Sequence, residues 1–353
     1  MARHRSTARA TGAADADGRM TANGRTPARR TYSRIESGRR IPTEYEVVSS
    51  DLHYNYPLRF ELDDDNPVIA WYYRHREGSR LRADNWEAFG DPRRTTYHGY
   101  TELQDRKEDV IDGLLRQIDD TSYDERISAG WLTCLDDWYA PLRFPAHALQ
   151  MLAAYVAQLA PASRVTNCAA FQAADEVRRL QRIAYRTTQL AGRQSDGRAA
   201  DHRSIWEEAE QFQPLRELLE RALVTYDWGE AFVLTNLMIK PHFDRLVNAE
   251  IAGTLAEANG DPILRGIHFS LDEDARWHRE WTAALLQIAI ADTPANAEVV
   301  SEWVDRWRPL TVDAVAALAS VAAQAPVPLD PAAITGRVTT ACERELAELL
   351  PAP

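Results

Sequence analysis

From about residue 100 to residue 349, apolar side chains recur at helical spacing, and no segment alternates with period 2. Val110, Leu114 and Leu115 stand at i, i+4 and i+5, and Trp131, Leu135 and Trp138 at i, i+4 and i+7. An apolar run over 148–159 is closed by Pro161; Val177, Leu180, Ile183 and Ala184 then follow at i, i+3, i+6 and i+7. Leu218, Leu219 and Leu223 continue the pattern after Pro214, and further helices are predicted over 228–239, 242–258, 272–291, 296–307, 311–324 and 331–349. Each such helix must bury its apolar stripe against another. Long helices with short connections, marked by Gly260-Asp261-Pro262 and Ser195-Asp196-Gly197, predict an all-α antiparallel bundle over residues 99–353.

The first hundred residues read differently. Residues 1–30 hold almost no large apolar side chain and cannot offset the entropy of ordering them, so they are expected to form a disordered basic tail. Arg29-Arg30 is followed by no apolar stretch, which argues against an export signal. Residues 31–98 carry prolines at 42, 57, 67 and 92, which interrupt every candidate helix, yet they are rich in aromatics, among them Tyr45, Tyr54, Tyr56, Trp71, Tyr72, Trp86 and Phe89. An irregular segment of this composition must pack on something, either its own helical body or a partner.

Charge and cysteine content narrow the function classes. Residues 1–40 carry ten arginines against Asp15, Asp17 and Glu36, a net of +7, so the remaining chain holds −19 of the total −12. An acidic body argues against nucleic acid as the partner. Apolar runs such as 314–319 are too short to span a bilayer, so no membrane association is expected. Cys134, Cys168 and Cys342 form neither a disulfide framework nor a zinc site and fit a reducing, cytoplasmic compartment. Arginine supplies nearly all the positive charge; Lys107 and Lys240 are the only lysines.

The chain has no glycine-rich phosphate loop and no G-x-S-x-G elbow, and Asp63-Asp64-Asp65 lacks calcium-loop spacing. A large helical bundle raises the possibility of a carboxylate-bridged di-iron site. Such a site needs two E-x-x-H motifs, because Glu and His at i and i+3 share a helical face, plus a Glu from each of two other helices. The nine histidines, at 4, 53, 75, 98, 147, 202, 242, 268 and 278, are preceded three residues earlier by Met1, Ser50, Tyr72, Thr95, Phe144, Ala199, Ile239, Arg265 and Ala275. None is acidic, so the usual site cannot be built from these letters. Two places keep half of the motif. Glu176 has Arg179 where the histidine would stand, and Asp274 has Trp277, with His278 one residue late, roughly 100° round the helix. An autonomous helical metalloprotein using Glu176, Glu230, Asp274 and His278 as atypical ligands is the competing reading.

The stretch Thr-Asn-Cys-Ala-Ala-Phe-Gln-Ala-Ala-Asp-Glu-Val-Arg-Arg-Leu-Gln-Arg-Ile-Ala-Tyr-Arg at 166–186 resembles the small (β) subunit of bacterial multicomponent di-iron monooxygenase hydroxylases. Arg-Thr-Tyr-Ser at 30–33, Pro-Thr-Glu-Tyr-Glu-Val at 42–47, Arg-Phe-Pro-Ala-His-Ala-Leu-Gln-Met at 143–151, Tyr-Asp-Trp-Gly-Glu-Ala-Phe at 226–232 and the block 274–281 agree in the same order. The resemblance spans about residues 30–310 and is closest to the toluene, phenol and alkene branch.

That resemblance implies a ferritin-like helical bundle with extra helices and an irregular N-terminal arm. It implies a chain with no catalytic or metal-ligating residues and no cofactor of its own, scaffolding an α subunit that carries a di-iron centre. The assembly would be a dimer of αβγ protomers, served by an effector protein, a reductase and often a Rieske ferredoxin. The reaction implied is insertion of one oxygen atom from O₂ into an arene or alkene with electrons from NADH. Glu176, Arg179, Glu230, Asp274 and Trp277 would then mark a vacated di-iron site. Arg179 would give its charge to Glu176, Asp274 or Glu230, and Trp277 would fill the remaining volume. Tyr32, Tyr45, Tyr54 and Tyr56 would anchor residues 31–98 as an interface arm.

Overall fold

The computed structural model describes residues 43–51, 66–191 and 201–350, and among them there is no strand. Short helices α1 (Glu44–Asp51) and α2 (Pro67–Arg76) precede a long α3 (Tyr97–Thr121). α4 (Ala129–Cys134) runs through a π segment into α5 (Arg143–Leu159), and α6 (Ser163–Ala191) follows after Pro161. α7 (His202–Glu208) and α8 (Gln213–Ala222) lead to a continuous helical stretch. It comprises α9 (Trp228–Val233), a π segment Leu234–Ile239, α10 (Lys240–Asp244), a second π segment Arg245–Leu255 and α11 (Ala256–Ala258). α12 (Pro262–Asp292), α13 (Asn296–Ala319) and α14 (Pro331–Leu349) complete the fold.

Helix starts follow from local chemistry. Asn66, Asp261 and Asp330 each precede a proline, and each side chain accepts from a backbone N–H of the first turn. Proline at that point loses nothing, since its missing N–H would have had no helical acceptor. This corrects the reading of 31–98 as irregular: Pro67 opens α2 rather than interrupting it. Two other predicted breaks are absent. Pro309 lies inside α13, and Pro241 inside the 228–258 stretch, where wider π turns on either side accommodate its missing donor. α12 begins at Pro262, ten residues before the predicted boundary.

One large core joins α2, α4–α6, α8–α10 and α12–α14, built around Trp131, Trp138, Trp228, Trp281 and Trp303. Tyr72, Leu81 and Phe89 belong to it, so residues 66–98 are part of the body they cover. A smaller cluster seats α3 on α12 through Ile111, Leu115, Ile118, Ile263, Ile267 and Leu271. Here the sequence reading of α3 was off by one: Val110 is exposed and Ile111 is buried. At the start of α9, Asp227 caps Gly229 and Glu230 and also accepts from Ser79 Oγ at 2.5 Å. A Cβ on Gly229 would lie 2.6 Å from Leu81 Cβ, so glycine lets the 79–81 segment pack directly on α9.

Candidate functional site

α6 breaks the usual rule of an apolar inner face. Its buried stripe includes Asp175, Glu176, Arg178, Arg179, Arg182 and Arg186, while the apolar Val177 faces outward. Charges are almost never fully buried unless paired. For Asp175, Glu176, Arg178, Arg179 and Arg182 the pairing is supplied by α3, α10 and α12 and forms two adjoining networks, whereas Arg186 pairs with Asp124 in the short turn between α3 and α4.

The first is a quartet between α6 and α10. Glu176 is ion-paired with Lys240, and Arg179 Nε lies 3.5 Å from Glu176 Oε2. Arg179 Nη2 donates to Asp244 Oδ1 at 2.5 Å, and Lys240 Nζ lies 3.2 Å from Asp244 Oδ2. All four residues are at most 2% exposed. Two carboxylates against an ammonium and a guanidinium leave the quartet neutral. Burial alone would raise the Asp244 carboxyl, but Arg179 and Lys240 outweigh it and hold the group well below the carboxylate range.

The second network joins α3, α6 and α12. Asp274 is ion-paired with Lys107 and accepts from Arg178 Nη1 at 2.7 Å and Gln104 Nε2 at 3.0 Å. Arg178 also donates to Glu108 at 2.6 Å and Ser270 Oγ at 2.7 Å. Asp175 accepts from Tyr100 Oη at 2.7 Å and Gln104 Nε2 at 2.8 Å, and lies 2.8 Å from His278 Nε2. Burial and the neighbouring Asp274 push Asp175 up, whereas burial and Lys240 push His278 down to about 3. His278 is therefore neutral at ordinary pH.

The structure separates the residues singled out from sequence. Glu176 and Arg179 sit in the quartet. Asp274 sits in the adjoining network with Lys107 and Arg178, not with Arg179. Glu230 lies elsewhere, held by Arg306 Nη1 and Trp307 Nε1, each at 2.9 Å on α13, so it receives no charge from Arg179. Trp277 donates to Asp91 Oδ1 at 2.9 Å and packs near Phe171 rather than filling space beside Glu176. Glu176, Glu230, Asp274 and His278 thus do not converge as one ligand set, and among the described residues no group of three or more His, Cys, Asp or Glu could hold a metal. An ammonium and a guanidinium among the carboxylates do not fit a di-iron site.

Of the four tyrosines read as interface anchors, Tyr32, Tyr54 and Tyr56 lie outside the described residues. Tyr45 is buried in its own chain, where its hydroxyl accepts from Asp91 N at 2.8 Å and Arg94 and Arg164 face its ring. Burial pushes its phenol up to about 12. It covers its own core and is not an exposed anchor. Lys107, Lys240, Asp175, Asp244 and Arg178 were missed from sequence. One signal was available: the chain's only two lysines both lie in these networks. A lysine ammonium is a compact point charge, unlike the planar guanidinium used elsewhere in the chain.

Residues 71–293 match the family model described as Methane/Phenol/Alkene Hydroxylase. The chain belongs to this family. It is 38% identical over 296 residues to the "Toluene-4-monooxygenase system, hydroxylase component subunit beta" of Ectopseudomonas mendocina, covering 83% of this chain and 90% of that one. It is 24% identical to the "Propane 2-monooxygenase, hydroxylase component small subunit" of Rhodococcus jostii (strain RHA1), over 84% and 82% of the two chains. Among solved structures it superposes on a chain of toluene-bound toluene 4-monooxygenase with a TM-score of 0.78 and 37% identity, covering 84% of this chain and 98% of that one. The fold is the helical, ferritin-like one expected, and the chain is a small-subunit member of a family of multicomponent monooxygenase hydroxylases. No described helix is long and apolar enough to cross a membrane.

Proposed function

We propose that this chain is the non-catalytic scaffold of a hydrocarbon monooxygenase hydroxylase, holding an α subunit that carries the di-iron centre. A γ subunit completes the protomer, and an effector protein and a reductase complete the system. The substrate is an arene or alkene, in keeping with the toluene named for the 38%-identical relative. The chain works in the cytoplasm.

The observation that carries this reading is the neutral quartet. In a helical fold whose relatives serve monooxygenases, Lys240 and Arg179 supply the positive charge that Glu176 and Asp244 require. The role of these residues is then structural: they keep helices α6 and α10 together where a metal pair would otherwise do so. Removing either cation alone would strand a buried charge. Glu230, Asp274 and Trp277 belong to the same ancestral region but now serve separate contacts.

Co-expression with the neighbouring hydroxylase genes tests the reading. A complex near 1:1 with a chain bearing two E-x-x-H motifs, with iron in that chain and none in this one, is the expected result. Stoichiometric iron in this chain by itself, or failure to form any such complex, refutes it.

A further inference from the structure

α3 turns one stripe inward, and the chemistry of that stripe changes half-way along the helix. Tyr100, Gln104 and Lys107 are followed, at the same helical spacing, by Ile111, Leu115 and Ile118. The second half is seated by apolar packing on Ile263, Ile267 and Leu271 of α12. The first half has no such seat. Among the described residues no apolar side chain of 97–110 belongs to either core cluster, and Tyr97 and Val110 are exposed. What holds this half is polar. Tyr100 and Gln104 donate to Asp175, Lys107 pairs with Asp274, and Glu108 bridges Arg178 and Arg182. Tyr100 also stacks on Phe171 with ring centroids 4.5 Å apart, and Asp112 adds a pair to Arg182 at 2.8 Å.

Both ends of this stretch are pinned. Ahead of α3, Phe89 is buried in the large core and Asp91 accepts from Trp277. Behind it stand the three aliphatic residues on α12. The middle is therefore a strap clasped by charge between two apolar anchors. Solvent reaches the clasp, because the side chains of Glu108 and Asp112 are 35% and 51% exposed. Opening it strands no charge in the core. Arg178 keeps Asp274 at 2.7 Å and Asp175 keeps His278 at 2.8 Å, while Lys107, Glu108 and Arg182 pass into water. The quartet between α6 and α10 has no such exit, since all four of its members are buried. Salt acts on the clasp in one direction: it screens the exposed pairs and favours the charges released to water.

The geometry points to a conformational device in this fold. The first half of α3 is an ion-clasped strap that opens as a unit of its own, more readily as ionic strength rises, and uncovers Asp175, Arg178 and Asp274 between α6 and α12. Local opening of this kind is the route by which a weakly seated segment moves while its core stays folded. The strap is a property of this chain alone and does not depend on the scaffold reading.

Amide hydrogen exchange of the full chain at constant pH, read by mass spectrometry, tests it. Between about 0.01 M and about 1 M sodium chloride the Debye length falls from about 30 Å to about 3 Å. Over that range exchange across residues 101–110 is expected to rise about fivefold or more, with residues 113–121 changing by less than about twofold. Glu108→Gln removes the group that bridges both arginines. It is expected to speed exchange across 101–110 about tenfold at low salt and to flatten the salt response. Asp109→Asn, at the neighbouring exposed carboxylate, changes the net charge equally and is the control, expected to stay within about twofold of the wild type. A common exchange rate for 101–110 and 113–121 at every salt concentration shows that α3 opens only as a whole and overturns the strap. Salt-independent exchange across 101–110, or an Asp109→Asn chain that behaves like Glu108→Gln, overturns the ionic clasp. If Glu108→Gln fails to fold by circular dichroism, the wild-type salt series decides.

Discussion

Replacing Lys240 by methionine removes one charge from a site that is buried from solvent. The side chains are similar in length, so packing changes little, and the effect reports on electrostatics. In the native quartet Lys240 pairs with Glu176 and lies 3.2 Å from Asp244. After the substitution Asp244 keeps Arg179 at 2.5 Å, but Glu176 keeps only the Arg179 contact at 3.5 Å. Two unit charges 3.2 Å apart attract by about 5 kcal/mol at an effective dielectric constant of about 20. Part of that is offset, because the ammonium no longer has to be desolvated. Breaking one partner out of a buried ionic group costs about 3–5 kcal/mol, and that is the loss expected for Lys240→Met. The charge-balanced double variant Glu176→Gln/Lys240→Met is expected to recover most of it, since amide and thioether leave Arg179 and Asp244 as a simple pair. Urea unfolding of the purified chain, followed by tryptophan fluorescence, measures both. A single-variant loss below about 1 kcal/mol, or a double variant as unstable as the sum of the two singles, would refute the charge-balance argument.

Three further outcomes follow from the same structure. His242, His268 and His278 are held down to about 4, 3 and 3, chiefly by burial, against 6.5 when exposed. Below pH 6.5 the unfolded chain binds protons that the folded chain refuses, so stability is complete above pH 6.5 and falls by about 1.4 kcal/mol per pH unit per histidine toward pH 4. Asp175, raised, works in the opposite sense, one proton against three; equal urea midpoints at pH 7 and pH 5 would contradict this. Gly229→Ala places a Cβ 2.6 Å from Leu81 Cβ and 2.7 Å from Ser79 Oγ, and should cost about 1–3 kcal/mol, read as a lowered thermal midpoint; an unchanged midpoint would show that the 79–81 segment yields freely. Arg179→His combined with Lys240→Glu restores a Glu-x-x-His pair at Glu176 and adds a carboxylate beside Asp244. The folded double variant should bind Co(II), detected by its visible absorption, and a folded variant that binds none would count against descent from a metal site.

Much of the bundle was legible from periodicity, and the misses have specific causes. α6 was recognised as a helix, but its apolar spacing marked the inner face only in part: Ile183 is buried, yet Val177 is outside and Glu176 and Arg179 are inside. A hydrophobic pattern cannot reveal a face that is buried through ion pairs. Pro67, Pro241 and Pro309 were read as breaks, yet one starts a helix and two lie within helical stretches whose neighbours hold them in place. The link between Glu176 and Lys240 spans 64 positions, and no local spacing announces it.

The letters alone determined that the chain is helical and that no Glu-x-x-His exists to bind a metal pair. Those properties are local, set by backbone geometry and residue identity within a few positions. Which charges meet was decided only by the tertiary structure. Lys240 reaches Glu176 and Arg179 reaches Asp244 because packing brings distant helices within ion-pair distance and shuts out the solvent that would otherwise compensate each charge, while Glu230 goes to the half-exposed Arg306.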